Sequence, residues 1–177
     1  MALVVGSKAP AFKTVDQDGL QVSLSEFKGK KVVLYFYPRD LTPGCTAEAC
    51  SLRDNYKALQ KAGYEVLGIS TDTPKSHKKF IEKEKLPFRL LADEDKTVHE
   101  KFGAWVEKSM YGRKYMGTAR ITYLIDEQGV IEDIIEKVDT KNHASQILET
   151  SNSGSTKADR KPSKKIAPKK AKKTSKK

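Results

Sequence analysis

VVLYFYPRDLTPGCTAEAC, Val32–Cys50, runs from an unbroken apolar stretch straight into the signals of a helix start. Its first six residues are far short of the roughly 18 apolar residues that a membrane-crossing helix needs, and they fit a buried strand. Pro38 stops that strand, because proline cannot donate to a continuing ladder. Thr42 is then an N-cap residue and Pro43 suits the first helical position. Leu52, Tyr56 and Leu59 recur at helical spacing, and Gly63 after Lys61 and Ala62 is a helix stop, so one helix is predicted from Thr42 to Gly63.

The same reading extends outward. Phe12 to Ser23 alternates around DQDG, Asp16–Gly19, and is predicted to be an amino-terminal hairpin covering an edge of the sheet. Downstream, YEVLGIS (Tyr64–Ser70) reads as a strand, Pro74 to about Lys85 as a helix with Phe80 and Ile81 on its apolar side, Phe88 to Leu91 as a short strand, and Asp95 to Phe102 as a helix closed by Gly103. Ala104 to Ala119, rich in Gly, Lys and Tyr, reads as a connection. RITYLID (Arg120–Asp126) and VIEDIIEKV (Val130–Val138) flank EQG and form a second predicted hairpin, and Thr140–Glu149 a closing helix. A central strand–helix–strand unit with a carboxy-terminal hairpin and closing helix predicts an α/β fold of the thioredoxin type with an added amino-terminal β-hairpin.

Residues 1–150 are expected to form one domain and 151–177 a disordered lysine-rich tail, which lacks the apolar residues needed to offset ordering entropy. Charge divides the same way. The chain carries a net +11, of which the tail supplies +10 and the body +1, so no basic face is advertised by the body. The stretch 157–177, a polycation without aromatic residues for base stacking, fits a solvated extension or a nonspecific nucleic-acid tether. The opening MALVVGSKAP has no basic leader, so a cytoplasmic, reducing location and no membrane association are expected. There a close cysteine pair points to redox or metal chemistry rather than a structural staple.

Both cysteines of the chain lie in the opening stretch. Cys45 falls in the first turn of the predicted helix, where free N–H groups and the positive end of the helix dipole stabilise an anion. Thiolate, not thiol, is the nucleophile. Cys50 lies five residues on, which places the two Cα atoms roughly 8.7 Å apart on an intact helix, beyond the roughly 7 Å that a disulfide spans. Either the pair never bonds and Cys50 is simply packed, or the first turns unravel during a reaction cycle. A zinc site needs four ligands at characteristic spacings, and His77, His99 and His143 have no such partners. No residue marks one of these histidines as the base of a Cys–His hydrolase, so each reads as an ordinary surface or core residue.

Pro38, Thr42 and Cys45 in YPRDLTPGCT match the signature of the peroxiredoxins. With the second cysteine five positions on, EKSMYGRKYMG and RITYLID, the chain resembles the peroxiredoxin Q subgroup, also called bacterioferritin comigratory protein, over residues 5 to 150. The resemblance implies a thiol peroxidase acting on hydrogen peroxide and organic hydroperoxides. Cys45 would be the peroxidatic cysteine, passing through a sulfenic acid, and Cys50 the resolving cysteine, giving a Cys45–Cys50 disulfide through local unfolding. Thr42 would hydrogen-bond at the thiolate, Pro38 shield it, Arg120 stabilise the developing charge and Glu48 orient Arg120. Trp105 and Tyr111 would be structural. The resemblance implies no metal, flavin or haem, and thioredoxin as reductant; a monomer is expected. A disulfide oxidoreductase using the same pair would need neither Thr42 nor Arg120 set for peroxide, and a nucleoid-binding protein would need only the tail.

Overall fold

The computed structural model describes residues 2–153. The DQDG turn folds β1 (Lys13–Asp16) against β2 (Gln21–Ser23), with Asp16 Oδ1 accepting from the amides of Asp18 and Leu20 at 2.9 and 3.0 Å. Then follow β3 (Lys31–Phe36), α1 (Pro43–Asp54), α2 (Tyr56–Lys61), β4 (Tyr64–Ser70), α3 (Pro74–Glu84), β5 (Arg89–Ala92) and α4 (Thr97–Lys101). The chain continues through β6 (Trp105–Met110), β7 (Arg113–Thr118), β8 (Ile121–Ile125), β9 (Ile131–Ile135) and α5 (His143–Ser153).

Seven strands form one sheet in the order β2-β1-β5-β4-β3-β8-β9. β3, β4 and β5 are parallel, β8 and β9 continue the sheet antiparallel on one side, and the amino-terminal hairpin extends it on the other through β1 against β5. Parallel strands covered on both faces read as continuous apolar runs, and β3 shows why. Val33, Tyr35 and the following Tyr37 pack into the layer that includes Leu52, Leu59, Phe80 and Ile147, whereas Val32, Leu34 and Phe36 pack against Val98, Phe102 and Tyr123 on the other face. The strand end, and the helix start after it, are therefore fixed from both sides.

Three expectations are corrected. The single helix predicted from Thr42 to Gly63 breaks at Asn55, whose Nδ2 donates back to the carbonyl of Ser51 at 2.9 Å and competes with the helical ladder. The connection 104–119 is a hairpin, β6–β7, forming its own two-stranded sheet. Its two-residue turn is Tyr111–Gly112, both at positive φ (51° and 76°), the geometry that a tight hairpin demands. The closing helix starts at His143 rather than Thr140, because Asp139 accepts from Lys141 N at 3.2 Å and from Asn142 Nδ2 at 3.1 Å in a side-chain-capped turn, and it continues to Ser153. The disorder and the nucleic-acid tether expected of the tail lie, from residue 154 on, outside the described residues.

Candidate active site

α1 begins where the sequence places it. Thr42 is the N-cap in extended conformation (φ −89°, ψ 153°), Pro43 opens the helix, and Thr46 N donates to Thr42 O at 2.9 Å to close its first turn. The Thr42 side chain does not cap; its hydroxyl donates to the carbonyl of Arg39 at 2.9 Å. Leu41 before it sits in the left-handed region at φ 61°. The turn from Pro38 to Thr42 is held from behind by Asp40. Its backbone N–H donates to Asp72 Oδ2 at 2.8 Å, its Oδ1 accepts from Tyr37 Oη at 2.6 Å, and its Oδ2 accepts from Ser76 Oγ at 2.8 Å. His77 Nδ1 lies 2.7 Å from the same Oδ2, and His77 Nε2 lies 2.9 Å from the carbonyl of Leu91.

Cys45, buried at 1% exposure, lies in the first turn of α1. Arg120, immediately before β8, reaches over that turn, and its Nη2 donates to Cys45 Sγ at 3.3 Å. A side chain at Gly44 would meet Arg120 Nη2 at 3.3 Å, so the guanidinium crosses at a position that glycine keeps open. Arg120 Nη1 pairs with Glu48 Oε2. Glu48 is one turn after Cys45 and fully buried; burial pushes its carboxyl up to about 7, against the lowering pull of Arg120. Its second oxygen, Oε1, has no hydrogen-bond partner and faces His143 Nε2 at 3.6 Å.

Cys50 is on the same unbroken helix and carries a free thiol, as does Cys45. Its Sγ donates to Glu84 Oε2 at 3.5 Å, and Arg53 donates to the Glu84 carbonyl at 2.6 Å, fastening this part of α1 to the end of α3. Burial pushes the Cys50 thiol up, Arg53 opposes this, and the Glu84 carboxylate adds to the rise, so the thiol keeps its proton.

The residues singled out from the sequence thus gather: Arg120 in direct contact with both Cys45 and Glu48, Thr42 and Pro38 on the turn leading to them, Cys50 further along α1. Of the flanking aromatics, Trp105 packs edge-on against His99 (6.2 Å between ring centroids), whereas Tyr111 is 99% exposed at its hairpin turn and supports no core. All three histidines are buried, none on the surface, and no group of three or more His, Cys, Asp or Glu that could hold a metal occurs among the described residues. Sequence reasoning missed three things here: the Asp40–His77 clamp, His143 behind Glu48, and Lys108 of β6. Burial and then the Arg120 charge hold the Lys108 ammonium down while Cys45 acts the other way, which places it within electrostatic reach of the site. No local signal marks any of them, because each depends on residues brought together from 12 to 95 positions apart in the chain.

A protein-family profile described as the AhpC/TSA family matches residues 5–134. Peroxiredoxin Bcp of Escherichia coli (strain K12) is 52% identical over 146 residues, covering 82% of this chain and 94% of that protein. Peroxiredoxin Bcp of Bacillus subtilis (strain 168) is 42% identical over 150 residues, 85% of this chain and 96% of that one. Among solved structures, Xanthomonas campestris peroxiredoxin Q superposes with a TM-score of 0.76 at 34% identity over 80% of this chain and 90% of its own. A cysteine-to-serine variant of Xylella fastidiosa PrxQ superposes with a TM-score of 0.82 at 27% identity, covering 88% and 99%. A further neighbour, the bacterioferritin comigratory protein of Xanthomonas campestris, is described for its alkyl peroxide reduction activity (TM-score 0.76, 32% identity, 82% and 92% covered).

Proposed function

The chain belongs to the AhpC/TSA family and is a peroxiredoxin, a peroxidase of thioredoxin-like fold, and from that premise we propose that Cys45 is its peroxidatic and Cys50 its resolving cysteine. The observation that carries the assignment is the contact of Arg120 Nη2 with Cys45 Sγ in the first turn of α1. A guanidinium there stabilises both the thiolate and the negative charge appearing on the oxygen it displaces.

The Cys45 thiolate attacks one oxygen of a hydroperoxide. An S–O bond forms, the O–O bond breaks, and sulfur is oxidised by two electrons to sulfenic acid. The other oxygen leaves as hydroxide or alkoxide and takes a proton to become water or an alcohol. Cys50 then attacks the sulfenic sulfur, forming the S–S bond and releasing water. On intact α1 the two Cα atoms stand roughly 8.7 Å apart, so this step requires the first turns to open and the Cys50–Glu84 contact to part. A dithiol protein of the thioredoxin class returns the disulfide to two thiols by exchange, and hydrogen peroxide and alkyl hydroperoxides are the substrates.

Peroxide consumption coupled to thioredoxin and its reductase tests this. Cys45→Ser is expected to abolish turnover, Cys50→Ser to oxidise once and stall, and Arg120→Ala to slow the first step by about 100-fold or more, the scale of losing one charge-stabilising donor. An undiminished rate in Cys45→Ser would sink the assignment.

A further inference from the structure

We propose that His143 is a positioning residue of the peroxidatic site: it forms with Glu48 a buried acid–base dyad that takes up one proton, and the state of that dyad sets how firmly Arg120 is held against Cys45. The inference rests on the roles of Cys45 and Arg120 given above.

Hydrogen-bond counting fixes the ring's tautomer. Gln146 Nε2 donates to the carbonyl of Lys137 at 3.0 Å, and Gln146 Oε1 accepts from Asp139 N at 2.8 Å. His143 Nδ1, 3.0 Å from the same Oε1, therefore carries a proton. In the neutral ring Nε2 is then a lone pair, and Thr122 Oγ1 donates to it at 2.8 Å. The same Nε2 faces the unpartnered Glu48 Oε1 at 3.6 Å, with both side chains fully buried. With Glu48 ionised, lone pair faces lone pair. One added proton turns that face into an attraction, either as a carboxylic acid donating to the ring or as an imidazolium donating to the carboxylate while Thr122 turns to accept.

Burial lowers His143 to about 4 and raises Glu48 to about 7, so the added proton rests mainly on Glu48. The charged and titratable groups around it are few. Glu48 faces Arg120 from the start of β8 and Tyr35 from β3; His143 faces Arg120 and Asp139; Cys45 and Lys108 of β6 act on Arg120 in turn. Ionised Glu48 anchors the guanidinium but takes up much of its charge. Protonated Glu48 leaves that charge to Cys45 Sγ and to the departing oxygen.

The test is the pH profile of the second-order rate constant for Cys45 oxidation by hydrogen peroxide, measured by rapid mixing on the full chain and on folded variants. Wild type is expected to show, near neutral pH, an inflection that is missing from Glu48→Gln, whose profile keeps only the rise with thiolate formation. His143→Gln, whose amide donates to Oε1 and favours the carboxylate, is expected to move that inflection down by about one pH unit. Thr122→Val, which frees the Nε2 lone pair for the acid's proton, is expected to move it up. Opposite shifts are not produced by loss of packing alone. An unmoved inflection in both His143→Gln and Thr122→Val, or a Glu48→Gln profile that coincides with wild type, overturns the dyad. Oxidation surviving in Cys45→Ser would strike instead at the peroxidatic assignment on which the dyad rests.

Discussion

Glu48 shows how much one side chain is asked to do at this site. It is a carboxyl placed in the first turns of a helix, where the local residue pattern offers no reason to single it out, yet it is fully buried and paired through one oxygen to Arg120. Burial raises its folded-state value from 4.5 to about 7, so between those limits the folded protein holds a proton that the unfolded chain has released. Its contribution to stability is accordingly present below about 4.5 and lost as pH rises through about 7, by about 3 kcal/mol at 1.36 kcal/mol per unit. Chemical denaturation of wild type and Glu48→Gln is therefore expected to show wild type losing ground to the variant as pH rises from about 4.5 to about 8. A constant difference over that range would mean that Glu48 does not change charge in the fold. The pairing of Glu48 with Arg120 was legible only through the family likeness; the unpartnered oxygen was legible from nothing but the packed structure.

At the scale of elements, the site is a helix start held by a turn that is itself clamped. His77 Nε2 faces a carbonyl, which only accepts, so it is an N–H; the 2.7 Å contact of Nδ1 with Asp40 Oδ2 then requires a second proton within the pair. The result is a buried, proton-sharing Asp40–His77 pair joining the Pro38–Thr42 turn to α3. Removing one partner strands the other in the core, so Asp40→Ala and His77→Leu are each expected to cost about 3 kcal/mol or more. The double variant, with two apolar groups in the same space, is expected to recover a large part of that cost. Denaturation midpoints of the three variants measure it, and strictly additive losses would contradict the clamp. The strand, the N-cap and the proline at the helix start could all be read from local residue types, because those signals act within a few residues. The break at Asn55 and the β6–β7 hairpin could not. An asparagine inside a helical pattern competes only weakly with the ladder, and Tyr111 is not a residue that announces a left-handed turn.

For the whole molecule, the fold class followed from few signals: strand, helix and strand in succession, then a hairpin, with an unbroken apolar β3; the order of the strands in the sheet did not. Side-chain partnerships across the sheet did not follow, since Asp40 with His77, and Glu48 with His143, join elements that no periodicity connects. What the assembled fold provides is a rigid sheet and a helix whose amino-terminal turn carries one sulfur while its middle, tied to α3 through Glu84, carries the other. No helix among the described residues is long and apolar enough to cross a membrane. The central claim is that these two sulfurs, too far apart on the intact helix, join when peroxide arrives. Mass spectrometry of the full chain after one equivalent of hydrogen peroxide tests it most directly. A single product is expected, lighter by two hydrogens, whose peptides carry a Cys45–Cys50 disulfide; unmodified thiols, or a Cys45 sulfenic acid that persists beside a free Cys50, would contradict it.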